Sequence, residues 1–173
     1  WDGVFGDNRN RYLHTVDEIT PRGGAALAVR LLRSWSILLG GVTVACSYWI
    51  AHTLFPGQRW LMAATAAFSA FTPRFLYVSG TVNNDVMAAA TCALAGLAAV
   101  RLLRAPVPRL RHVLLLGLAL GAALLSKASA LVMIPVAGLA VLYAARKARL
   151  PFRQMLLWGS ILLAVALLVA GWW

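Results

Sequence analysis

From Ser34 onward the sequence is a train of apolar runs, each close to twenty residues, divided by short basic or turn-forming stretches. A helix rises 1.5 Å per residue, so about twenty residues cross a hydrocarbon core roughly 30 Å thick. Inside that core each backbone N–H and C=O must be satisfied within the protein, which leaves the helix as the spanning element for runs of this kind. Hydrophobic residues make up 61% of the 173 and charged residues only 12%, a balance outside the range of soluble domains. The expected fold class is all-α: a polytopic transmembrane helical bundle of about six spans plus an interfacial amphipathic helix.

The chain divides into three regions. Residues 1–23 are polar and irregular and hold four of the five acids (Asp2, Asp7, Asp17 and Glu18) together with His14; they are expected to form an extracytoplasmic loop. Residues 24–33 set Arg30 and Arg33 three apart among Ala, Leu and Val, the pattern of an amphipathic helix lying in the interface. Residues 34–173 form the bundle, with spans expected over 34–55, 60–79, 84–103 and 154–173. The 32 residues of 112–143 would reach about 48 Å as one helix, well beyond the hydrocarbon core. Ser126-Lys127-Ala128-Ser129 sits at the middle of that stretch. Either one long tilted helix buries Lys127, or two short legs place Lys127 at a turn.

Charge favours the second arrangement. A net charge of +11 would suggest nucleic acid in a soluble protein, but here the cations fall between apolar runs and read as topology determinants, with no nucleic-acid partner. With a hairpin over 112–143, one face collects Arg59, Arg101, Arg104, Arg109, Arg111, Arg146, Lys147, Arg149 and Arg153 and no acid. The positive-inside rule assigns that face to the cytoplasm. All five acids, Lys127 and the remaining cations then share the extracytoplasmic side. Opening on Trp1 and closing on Trp172-Trp173, the sequence reads as part of a longer protein.

Asp85 is the only acid after position 18, and a lone carboxylate between two membrane-length runs is costly to place. It opens the third span behind Asn83 and Asn84, so it serves either as a favourable charge at a helix N-terminus or in chemistry. Lys127 either snorkels from a helix end or meets a phosphate as a point charge. Arg74, after Pro73, either pairs with Asp85 or snorkels. His14 with Asp17 and Glu18 is a weak catalytic signal. Gly117-x-x-x-Gly121 suits close helix packing, and the seven tryptophans fall largely near the expected interfaces. Cys46 and Cys92 lie inside apolar runs, with neither metal-ligand spacing nor a disulfide framework.

Taken in order, these motifs resemble a known family. A polar loop with His14, Asp17 and Glu18 leads to Pro21-x-Gly23, a basic amphipathic segment and Leu31-Leu32-Arg33-Ser34. A Phe71-x-Pro73 span follows, then Ser79-Gly80-x-x-Asn83-Asn84-Asp85 and Leu125-Ser126-Lys127…Leu131…Pro135. The order resembles the polyprenyl-phosphate-dependent C-type-fold glycosyltransferases, among them proteins similar to protein O-mannosyltransferases and the lipid A aminoarabinose transferase. That resemblance implies an inverting sugar transfer from a polyprenyl-phosphate-linked donor, on the outer face of a bacterial cytoplasmic membrane. It implies Asp85 at the acidic position that opens the third span, and Lys127 facing the donor phosphate. The candidate catalytic residues are Asp85, Glu18 and His14, and the candidate substrate-binding residues Lys127, Asn84 and Asp17. The sequence begins within the tail of the family's first external loop, so Asp17-Glu18 do not stand for the acidic motif that precedes it.

Displacing a sugar from a phosphate needs a base for the attacking hydroxyl and positive charge for the departing phosphate. A divalent metal ion is one source of that charge, but a single assigned carboxylate does not make a metal site. The competing class is a non-catalytic accessory or scaffold subunit that packs against partner membrane subunits. A transporter ranks third, because no span carries an acid in its interior.

Overall fold

The computed structural model describes residues 24–171. Its regular elements are seven α-helices: α1 Gly24–Leu54, α2 Arg59–Phe71, α3 Pro73–Ser79, α4 Asp85–Arg104, α5 Leu110–Ser126, α6 Met133–Lys147 and α7 Phe152–Ala170. A 3-10 helix over Ala128–Val132 precedes α6. The described residues form an all-helical bundle, in which α1, α4, the 128–147 segment and α7 are long and apolar enough to cross a membrane. The shorter α5 is also apolar.

Residues 24–33, expected as a separate interfacial helix, are the first turns of the unbroken 31-residue α1. The expected second span, by contrast, is broken. α2 stops at Phe71, and α3 restarts with Pro73 in its first turn after an extended Thr72. Proline lacks the N–H that would continue the ladder and disfavours helical geometry in the residue before it. Gly57 supplies the positive φ that turns α1 into α2.

The long stretch over 112–143 is a hairpin. α5 ends at Ser126, Lys127 is extended (φ −162°, ψ 136°), and α6 returns. Contacts at both ends fix the direction. Ser126 reaches Thr91 near the start of α4, with Oγ1 to Oγ at 3.4 Å, while Lys147 Nζ donates to Leu103 O at 3.3 Å near its end. Thus α5 runs antiparallel to α4, and α6 runs parallel to it. Arg104 Nη2 donates to Leu54 O at 3.2 Å, which brings the end of α1 to that same pole. One pole therefore gathers the 55–58 turn, the 105–109 loop and the 148–151 turn with their cations; the other carries the start of α4 and the α5–α6 turn.

The core lies between α4, α5, α6 and α7, around Leu102, Leu116, Leu120, Val141, Trp158 and Leu162. Alanines fill α4 and α6 at the core positions, so the helices come close without large side chains between them. α7 packs on α5 through Gly117 and Gly121. A Cβ added at Gly121 would stand 2.7 Å from Val169 Cβ and 2.8 Å from Ala166 O, which is the packing role expected of that pair. Trp158, grouped by sequence with the interfacial tryptophans, is instead a core residue at 9% exposure. Trp35, Trp49 and Trp60 are exposed on the outer surface.

Candidate functional site at the Asp85 pole

Four short devices build this pole. The first is the turn over Thr81–Asn84. Asn83 Oδ1 accepts the Asp85 N–H at 2.9 Å and the Val86 N–H at 3.2 Å, which satisfies two of the otherwise unpaired donors that open α4. Its Nδ2 donates to Val78 O at 3.1 Å and to Thr81 Oγ1, so one side chain ties the end of α3 to the start of α4. Asn84 makes no capping hydrogen bond and is exposed.

The second device is Thr91. It is buried on α4 and donates back to Met87 O at 2.8 Å, with Ser126 Oγ at 3.4 Å. Ser126 itself donates to Ala122 O at 2.7 Å. This contact sets the last turn of α5 beside the second turn of α4. The third device is the break at Lys127, whose N–H still closes onto Ala123 O at 3.2 Å while its own carbonyl accepts from Ala130 N at 2.9 Å. The backbone thus leaves the helix for one residue without losing its hydrogen bonds.

The fourth is the result of the other three: Lys127 Nζ forms a salt bridge with Asp85 Oδ1 across 42 residues of sequence. The two side chains are 42% and 50% exposed. An ion pair this open is worth about 0–1 kcal/mol of stability. Asn83 supplies the side-chain cap of α4, while Asp85, in the first turn, sets its charge at the helix N-terminus and holds the ammonium. Arg74, the other cation considered for Asp85, is exposed on α3.

Two of the expected site residues, Asp85 and Lys127, are brought into contact, and Asn84 precedes Asp85 in the turn with its side chain exposed. His14, Asp17 and Glu18 lie outside the described residues. Sequence reasoning missed Thr91, which carries no signal beyond one hydroxyl in an alanine-rich run. Among the described residues no three His, Cys, Asp or Glu side chains gather as metal ligands. Chemically, the pole offers a half-exposed ammonium with donors to spare and a carboxylate that fixes its position.

A family model for dolichyl-phosphate-mannose-protein mannosyltransferases matches residues 23–173. The matched region takes in α1 to α7 and both partners of the ion pair. No curated protein and no solved structure matches the chain. With the helical membrane bundle and its polar pole in view, and with the match running from residue 23 to the last residue, the chain belongs to the dolichyl-phosphate-mannose-protein mannosyltransferase family.

Proposed function

We propose that the Asp85 pole is the donor site of a membrane glycosyltransferase acting on the extracytoplasmic face, where Lys127 meets the phosphate of a polyprenyl-phosphate-linked sugar. The observation that carries this reading is the half-exposed Asp85–Lys127 pair. In the transfer, the acceptor hydroxyl attacks the anomeric carbon and gives its proton to a base. The bond from that carbon to the phosphate oxygen breaks, and the lipid phosphate leaves with the electron pair. Lys127 Nζ offsets the charge that grows on the phosphate, the kind of interaction that is stronger in the transition state than before it. Asp85 aims the ammonium and shares the turn with Asn84, the candidate for contact with the sugar. His14, Asp17 and Glu18 are candidates for acceptor binding and for the base, with Asp85 itself the alternative base. The nine cations at the opposite pole favour a cytoplasmic position for that end, as in a bacterial cytoplasmic membrane.

The test uses the full-length protein with a polyprenyl-phosphate-sugar donor, and follows activity and thermal stability together. Lys127→Gln should lower turnover on the order of 10²-fold, with thermal stability nearly unchanged. Asp85→Asn should lower turnover on the same order, and the charge-reversed pair Asp85→Lys with Lys127→Asp should keep the fold without restoring activity. Activity within a few-fold of wild type in Lys127→Gln would overturn the donor-site reading, and would favour an accessory or scaffold role.

A further inference from the structure

The opposite pole carries a second feature that the transfer reaction does not use. Between α1, α4 and α6 runs an open groove of about 700 Å³. Gly96, Val100, Val136, Leu139 and Tyr143 are among its walls, and Arg104 and Lys147 line it from the last turns of α4 and α6. Both cations are held in place. Arg104 Nη2 bonds Leu54 O, and Lys147 Nζ bonds Leu103 O. Each bond uses one donor of a group that has five or three, so several N–H groups remain for an anion. Asp85 is the only acid among the described residues and lies at the other pole, so no described carboxylate neutralises the pair.

We propose that this groove binds an anionic phospholipid of the leaflet at the basic pole, with the phosphate between Arg104 and Lys147 and one acyl chain along the trough. Charge complementarity selects the headgroup. Length selects the tail: from Lys147 to Val136 the groove follows α6 for about 16 Å, close to half of a 30 Å hydrocarbon core. One lipid chain fills such a trough, whereas a further spanning helix would need a seam through both leaflets. Gly96 adds width, since only Ile50 Cδ1, at 3.8 Å, lies near the position of a Cβ there. Basic pockets between spanning helices are a recognised setting for anionic headgroups. The site is separate from the Asp85 pole and stands whether or not that pole binds the donor.

The experiment reconstitutes the full chain in bilayers of equal phosphatidylglycerol and phosphatidylcholine and counts retained lipid by native mass spectrometry. Phosphatidylglycerol should be retained preferentially. Arg104→Gln with Lys147→Gln should lower its retention about ten- to thirty-fold, while Arg109→Gln with Arg111→Gln, basic but outside the groove, should change it by about twofold or less. Leu139→Trp fills the trough with both cations intact and should also lower retention; it decides the matter if the double variant does not fold. Equal retention of the two lipids would overturn the proposal. So would an equal loss in the Arg109/Arg111 control, or unchanged retention in Leu139→Trp.

Discussion

Asn83 uses its whole side chain: two backbone N–H groups donate to its oxygen, and its nitrogen donates to Val78 O and Thr81 Oγ1. Asn84, one residue on, caps nothing. Asn83→Ala should therefore cost about 1 kcal/mol or somewhat more, the usual loss on removing a cap. Asn84→Ala should stay within about 0.5 kcal/mol, as a surface change does. Thermal or denaturant unfolding of the two variants in detergent checks this, and equal losses would show that the cap is shared. If Asn84 contacts the donor sugar, Asn84→Ala should still lower activity at unchanged stability. The sequence marks both asparagines as capping residues and cannot choose between them, because the choice depends on where the end of α3 lies. Asp85 is legible as the lone acid and Lys127 as the cation inside an overlong apolar run. Their pairing is not legible, since it rests on Thr91 and Ser126 meeting across two helices.

At the scale of elements, length and charge were enough to divide 112–143 into two legs, because no helix of about 48 Å suits a 30 Å core. The division of 60–79 into α2 and α3 was signalled by Pro73, but hydropathy alone reads straight through it. Continuity from 24–33 into α1 was hidden for the opposite reason: Arg30 and Arg33 lower the local hydropathy without interrupting the helix. The α5–α7 seam follows from Gly117-x-x-x-Gly121, and its tightness gives a test. Gly121→Ala sets a methyl against Ala166 O and Val169 Cβ. Both obstacles are backbone or Cβ atoms, which no rotamer change can move. The substitution should cost about 1–3 kcal/mol, measured as a lowered unfolding temperature in detergent. Gly159→Ala on α7, where a Cβ would meet nothing within 4 Å, is the control and should be nearly neutral. Helix propensity by itself favours alanine at both positions, so a comparable gain in both variants would mean that the seam at Gly121 is not tight.

Across the whole molecule, the two poles differ in charge more than in anything else. The pole at the ends of α1, α4 and α6 carries nine cations and, among the described residues, no acid; the other carries Asp85 paired with Lys127, together with Arg30, Arg33 and Arg74. Moving cationic loops across a bilayer during insertion is costly, so the basic pole should stay on the side of synthesis. That orientation would set the face that the proposed donor site serves, with Lys127 and Asp85 on the side away from the cytoplasm. The check is cysteine accessibility in sealed cells. Cys46 and Cys92 are first replaced by Ala, and single cysteines are then placed at Asn84 and Arg109, both exposed loop or helix-edge positions. A membrane-impermeant maleimide applied from outside should label position 84 and spare position 109 until the membrane is opened with detergent. A third cysteine at Arg149, in the turn between α6 and α7, should behave like 109, because the hairpin returns the chain to the same pole. Labelling of 109 and 149 from outside, with 84 protected, would invert the molecule and move the proposed donor site to the cytoplasmic face. Labelling of 109 alone would mean that the two basic turns lie on opposite sides, which a hairpin at Lys127 does not allow.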